Sequence, residues 1–190
     1  MKIAFVHIPK TAGGTVKDWF KMYCPDILIK AGHQPLELYN GYDYSFCIRR
    51  NTFKRLISLY VFSCNTFDIK IQKRISKGNI QQIPRLIESK EIAKKGLVPW
   101  LKWSKQNNER ALWSLSKWTN GVDFVLEQEN LNNDFKKIQE LCSCNNPLPV
   151  MSPRAHISNY NYSDLCTNEY IDWIEKNYLH ELEEYNYKPY

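Results

Sequence analysis

His7-Ile8-Pro9-Lys10-Thr11-Ala12-Gly13-Gly14-Thr15 places a lysine just before two adjacent glycines, in a stretch short enough to wrap one anion. Glycines let a turn point several backbone N–H groups inward. Where such a turn opens a helix, the first helical amides and the helix dipole add positive potential. Lys10 supplies a full charge. The lysine precedes both glycines, whereas the phosphate loop of NTPases needs Gly-Lys-Ser/Thr in that order, so the loop is of another kind. A second basic stretch, Arg49 to Ser58, offers the forked guanidinium of Arg50 and the hydroxyl of Ser58, two helical turns on, as a cradle for a phosphate-like group. Proton acceptors near neutral pH are the four histidines, His7, His33, His156 and His180.

The elements that must hold these groups are legible as periodicities. The apolar run Ile3 to Val6 reads as a strand entering the loop, and Val16, Trp19, Phe20 and Tyr23 form one stripe of a helix capped by Thr15. Asp43 to Arg49 alternates as a strand with Tyr44, Phe46 and Ile48 on one side. Asn51 then caps a helix that turns Phe53, Leu56, Ile57, Tyr60 and Val61 inward and Asn51, Arg55 and Ser58 to the opposite face. Lys70 to Lys77 reads as a solvated helix face. Trp100, Trp103, Trp113 and Trp118, in the segment Ile92 to Trp118, are assigned to core packing ahead of a role as sugar platforms. Leu131, Phe135, Ile138 and Cys142 mark another buried helix stripe, Leu148 to Tyr160 a loop, and Thr167 to Tyr178 a last helix.

Pro9 to Thr15 resembles the 5′-phosphosulfate loop of sulfotransferases that use 3′-phosphoadenosine 5′-phosphosulfate (PAPS), in the His-Ile-Pro-Lys-Thr-Ala-Gly-Thr form of Golgi carbohydrate sulfotransferases. Gly14 stands where that form goes straight to Thr or Ser. Arg50 to Tyr60 is similar to the 3′-phosphate motif of the same family, Val-Arg-Asn/Asp-Pro-Phe/Tyr-x-Arg-Leu-x-Ser-x-Tyr, with Thr52 in place of proline and Arg49 in place of the apolar residue. Val122 to Phe135 resembles its strand followed by Glu-Asn-Leu-x-x-Asp-Phe. The resemblance implies a P-loop-like three-layer α/β fold with a central, mainly parallel sheet flanked by helices. It implies PAPS as sulfuryl donor, held by Pro9, Lys10, Thr11, Ala12, Gly13, Gly14 and Thr15 at the phosphosulfate and by Arg50 and Ser58 at the 3′-phosphate, with no metal. Arg55, Leu56 and Tyr60 fall on positions that hold the helix in place. The acceptor implied is a hydroxyl of a carbohydrate or sugar-containing molecule, with Lys10 neutralising the leaving group. Gly32-His33 resembles the segment carrying the base in uronosyl 2-O-sulfotransferases. Glu127 and Glu129 are alternative bases, and His156 an alternative base or a residue lining the nucleotide or acceptor.

With 190 residues, 43% hydrophobic and 24% charged, the chain is expected to form one domain spanning 1–190. A net charge of +6 suits an anionic ligand without calling for a nucleic acid. No run approaches the roughly eighteen apolar residues of a membrane span, and no basic-then-apolar leader opens the sequence, so a soluble, cytoplasmic protein without a membrane partner is expected. Six cysteines without a Cys-x-x-Cys pair read as reduced thiols. Two other readings compete: a P-loop-type small-molecule or sugar kinase, opposed by the loop order and the lack of an acidic magnesium-binding strand, and a non-catalytic module that binds a nucleotide or phosphate.

Overall fold

The structure, a computed structural model, describes residues 1–29, 32–149 and 161–189. In chain order the elements are β1 (Ile3–Val6), α1 (Gly13–Tyr23), β2 (Leu28–Ile29), β3 (Tyr44–Arg49), α2 (Thr52–Ser76), α3 (Ile83–Ala93), α4 (Leu97–Gln106), α5 (Leu115–Thr119), β4 (Phe124–Glu127), α6 (Leu131–Asp134), α7 (Lys136–Leu141), α8 (Tyr162–Leu165) and α9 (Asn168–Tyr185). They fall into two compact units, Met1–Asn51 with Trp113–Ser152, and Thr52–Leu112 with Pro153–Tyr190. The fold is mixed α/β.

The first unit holds a parallel sheet in the order β2-β1-β3-β4. β1 is buried along its whole length, as a parallel strand between neighbours should be. Ile3 and Phe5 on one face join Val16, Trp19 and Phe20 of α1, Phe46 and Ile48 of β3, Leu126 of β4, and Phe135 and Ile138 in one core. Burying each such side chain contributes about 1.5–3 kcal/mol. The helix stripe expected over Val16 to Tyr23 stops one turn early: Tyr23 remains 41% exposed at the helix end, its ring edge-on to Trp19. Register between β3 and β4 is fixed by a polar clasp, the Ser45 amide and hydroxyl both donating to Asp123 Oδ2 at 2.7 Å. Three thiols also gather here: Cys142 and Cys144 pack against the core that holds Cys24. Burial pushes Cys142 up to about 12, while the backbone of Asn146 holds Cys144 below the usual thiol range.

The second unit is helical, with a core from α2, α4 and α9 that includes Phe53, Leu56, Ile57, Tyr60, Val61, Leu101, Tyr170 and Ile174. The inward face expected for α2 is therefore present. Its opposite face differs: Arg55 is fully buried and Ser58 is 7% exposed, because the chain after α4 returns over it and the Ala111 carbonyl accepts from Arg55 Nη1 at 2.8 Å. Tyr170 and Tyr178 hydroxyls donate to the carbonyls of Phe53 and Leu112. α9 is capped by the Thr167 side chain and runs past Tyr178, where the expected helix ended, after a kink at that residue (φ −137°, ψ 21°). Among the described residues no helix is long and apolar enough to cross a membrane.

Candidate active site

β1 delivers the chain into the loop Pro9–Ala12, and α1 begins directly behind it. The sharp backbone turns fall on Lys10 (φ 70°) and Ala12 (φ 61°), both left-handed, and not on the glycines expected to bend. Gly13 and Gly14 are already helical. Gly13 is required for a different reason: a Cβ there would run into the imidazole of His7. Thr15 is likewise not the cap. That position is held by Ala12 without a side-chain hydrogen bond, and Thr15 is buried in the first turn. By helix geometry the amides of Gly13, Gly14 and Thr15 have no carbonyl a turn behind them within the helix, and the first bond runs from the Val16 amide to the Ala12 carbonyl at 3.3 Å. These donors and the dipole of an eleven-residue helix leave one position suited to an anion, and Lys10 lies in the loop directly before it. Thr11 pins the loop through a buried hydroxyl bond to the Ile8 carbonyl at 2.9 Å.

Two substitutions should move stability in opposite directions. Ala12→Gly relieves a left-handed residue and is expected to add about 1 kcal/mol, net of glycine's entropy cost. Gly13→Ala forces a methyl against His7 and should cost about 1–3 kcal/mol. Calorimetric melting checks both, and equal signs would contradict the loop geometry.

In the order β2-β1-β3-β4 the chain leaves β1 in both directions, so the carboxyl ends of β1 and β3 flank a topological switch point, where open α/β sheets place ligands. Arg50, just beyond β3, reaches the loop after β1 there: its Nη1 donates to the Lys10 carbonyl at 3.2 Å. Arg49 is engaged elsewhere, ion-paired with Glu127 across the β3–β4 register. The Glu129 carboxylate accepts from the Asn51 amide at 3.2 Å. Both alternative bases thus hold structural partners. Ser58, the other expected phosphate ligand, belongs to the helical unit, where it is buried on α2.

His33 lies at the back of the loop through His7. The two rings sit 4.1 Å apart between centroids, and His7 in turn stacks on Phe5. The His7 amide donates to the Gly32 carbonyl at 3.3 Å, and His33 Nδ1 donates to the His7 carbonyl at 2.8 Å. A carbonyl can only accept, so the neutral ring keeps its proton on Nδ1 and presents a lone pair on Nε2. Desolvation and, to a smaller degree, the charge of Lys17 lower the pKa of His33 despite its exposed position, against the raising effect of its own hydrogen bond. His7 is buried, its Nδ1 has no hydrogen-bond partner, and burial with the charges of His33, Lys17 and Lys10 brings its pKa down to about 3. Lys17, one turn into α1, was not singled out in the sequence, where it reads as an ordinary surface lysine. His156 lies outside the described residues. His180 is exposed and pairs with Glu184 at 3.3 Å.

The buried His7 has a consequence for stability. Unfolded, it takes up a proton near 6.5, and folded only near 3, so the unfolded state binds more protons between those values. Stability should fall as pH drops from about 6.5 toward 3, by at most about 1.4 kcal/mol per unit. Denaturant titrations across that window should show a slope that His7→Gln reduces, with His33 keeping a smaller one of the same sign. An unchanged slope would mean that His7 is not the proton-linked group.

Beside the helix N-terminus, within the same unit, a cavity of about 550 Å³ is bounded by Ala12, Thr15, Gln128, Asn130, Leu131 and Pro149. Gln128 Oε1 is buried there without a hydrogen-bond partner. The cluster of amide side chains from Gln128 to Asn133 was the signal for this wall in the sequence, and it gives an anion seated on α1 room for an attached organic body. The chain matches no family model, no curated protein and no solved structure.

Proposed function

We propose that the chain is a sulfotransferase with a P-loop-like three-layer α/β fold, moving the sulfuryl group of PAPS to a hydroxyl of a carbohydrate or sugar-containing acceptor. The observation that carries this reading is the uncapped helix N-terminus at the switch point, opened by the Lys10 loop, with the Arg50 guanidinium on the Lys10 carbonyl. The residues present suit an anionic donor: Pro9 to Thr15 supply the loop, its amides and Lys10. PAPS supplies the activated sulfuryl group. With that donor bound, Lys10 would offset the charge left on its phosphate oxygen, and His33 Nε2 would take the proton of the acceptor hydroxyl. Positioning and electrostatics do most of the work in transfers of this kind.

Transfer of labelled sulfate from PAPS to a panel of glycans and small alcohols tests the reading. Labelled product with at least one hydroxyl acceptor supports it. Transfer of the ATP γ-phosphate instead, with none from PAPS, would replace it by a kinase.

Ligand-induced melting shifts probe the nucleotide side separately. 3′-Phosphoadenosine 5′-phosphate is expected to raise the melting temperature well above the shift given by adenosine 5′-phosphate, and Arg50→Ala should remove most of that difference. Equal shifts in the parent protein would remove the 3′-phosphate assignment. If Arg49→Ala acts in place of Arg50→Ala, the assignment belongs one residue earlier, against the Arg49–Glu127 pairing.

A further inference from the structure

Three free cysteines of the first unit gather around one core: Cys24 closes α1, Cys142 closes α7, and Cys144 follows one residue on. Cys24 is 7% exposed, whereas Cys142 and Cys144 are only partly buried. The proposed transfer uses none of them. Their sulfurs interact electrostatically, Cys24 with both of the others.

The turn that carries Cys144 is fixed at several points. Ser143 is left-handed (φ 50°), and the Cys144 amide donates back to the Gln139 carbonyl at 2.9 Å, a pattern that ends a helix. Asn146 Nδ2 donates to Cys144 Sγ at 3.4 Å. Asn146 is itself held, since its carbonyl accepts from Trp19 Nε1 of α1 at 2.7 Å and from Gln139 Nε2 of α7 at 2.6 Å. The segment bearing Cys144 is thereby fastened to the helix that Cys24 closes. A donor aimed at sulfur favours the thiolate, which is the form that attacks, and the Asn146 backbone works in the same direction. Burial does the opposite to Cys24 and Cys142, which hold their protons. One reachable, activated thiol therefore sits beside two that are inert until it has reacted.

We propose that Cys144 and Cys24 form a thiol pair that a small-molecule disulfide, such as oxidised glutathione, converts into an intramolecular disulfide. The Cys144 thiolate attacks one sulfur of the small disulfide, forming a mixed disulfide and releasing one small thiolate. Cys24 gives its proton to that thiolate and attacks Cys144 Sγ, and the second small thiol leaves. Two protein thiols are oxidised to one disulfide while one small disulfide is reduced to two thiols. Cys24 is the partner because a bond between Cys142 and Cys144 would have to close across left-handed Ser143 in the turn that ends α7. The chain after Cys144 runs on to Leu148 and Pro149, and Pro149 bounds the cavity beside the N-terminus of α1. The new bond would tie that wall to the far end of the same helix. The inference does not require sulfuryl transfer, and its failure would leave that reading standing.

The test is treatment of the folded, fully reduced chain with oxidised glutathione, read by mass spectrometry of the intact protein and of its peptides. The parent is expected to lose the Cys24 and Cys144 thiols, to retain no glutathione on either, and to yield a cross-linked peptide joining them. Its melting temperature should rise, because the bond closes a long loop of the unfolded chain, and dithiothreitol should reverse both changes. Cys24→Ser should stop with glutathione on Cys144, Cys144→Ser should leave Cys24 unreacted, and Cys142→Ser should behave as the parent does. The peptide map of the parent decides the matter even if a serine variant does not fold. A peptide joining Cys24 to Cys142 would overturn the choice of Cys144 as the attacking thiol. Glutathione that persists on Cys144 of the parent would overturn the pair, and Cys24 and Cys144 both left unreacted would overturn the proposal as a whole.

Discussion

His33→Ala is expected to lose on the order of a hundredfold or more in the rate of sulfuryl transfer, the usual scale for a general base, while binding 3′-phosphoadenosine 5′-phosphate almost as the parent does. The expectation rests on the bond from His33 Nδ1 to the His7 carbonyl, which fixes the tautomer and leaves Nε2 to take a proton. It rests also on the direction of the pKa: desolvation, with Lys17 near, keeps the ring neutral to lower pH than a free imidazole. The rate should accordingly be flat near neutrality and fall only below about 6.5, as the ring is protonated. Removing His33 should abolish that acid limb along with the rate. A His33→Ala protein that keeps full rate on its true acceptor would take this residue out of the mechanism. Glu127 and Glu129 would then have to leave Arg49 and the Asn51 amide to serve as bases, and His156 would be tested beside them.

The parts of this site that the sequence disclosed are those encoded by local pattern. Ile3 to Val6, an unbroken apolar run, and the stripe Val16, Trp19 and Phe20, at the 3.6-residue spacing, specify a strand and a helix on either side of the loop. Arg50 was singled out by its place in the motif the sequence resembles, and its guanidinium donates to the Lys10 carbonyl. What pattern could not disclose are features set by residues distant in the chain. Left-handed backbone at Lys10 and Ala12 contradicts local preference, which favours glycine, and at Lys10 the surroundings add braces: the Thr11 hydroxyl bond to Ile8 and the Arg50 guanidinium. Gly13 read as a residue that lets the loop bend because nothing in the sequence announces that His7 packs against it. Arg55 and Ser58 read as the face away from the core because the helical period is blind to the segment carrying Ala111. The meeting of Cys24 with Cys142 and Cys144 is hidden for the same reason, since it joins the end of α1 to the end of α7.

Lys10→Ala is expected to match His33→Ala in its loss of turnover, on the order of a hundredfold or more, and to differ from it by also weakening ligands that carry a 5′-terminal anion. The backbone should not change much, because alanine and lysine bear the same restriction at the left-handed φ of 70°, and Arg50 grips the Lys10 carbonyl, which the substitution leaves in place. The loss is then one of charge. Lys10→Gly would remove the same charge while relaxing the backbone, so a glycine variant more stable than the alanine one but equally slow would separate strain from electrostatics. Lys10→Arg should recover part of the rate, since the charge returns in a broader, planar form. Measured together with His33→Ala, the two variants should give distinct signatures, loss of rate with donor affinity kept and loss of both. If Lys10→Ala kept full turnover and full affinity, the loop would be a strained turn between β1 and α1 with no part in the chemistry.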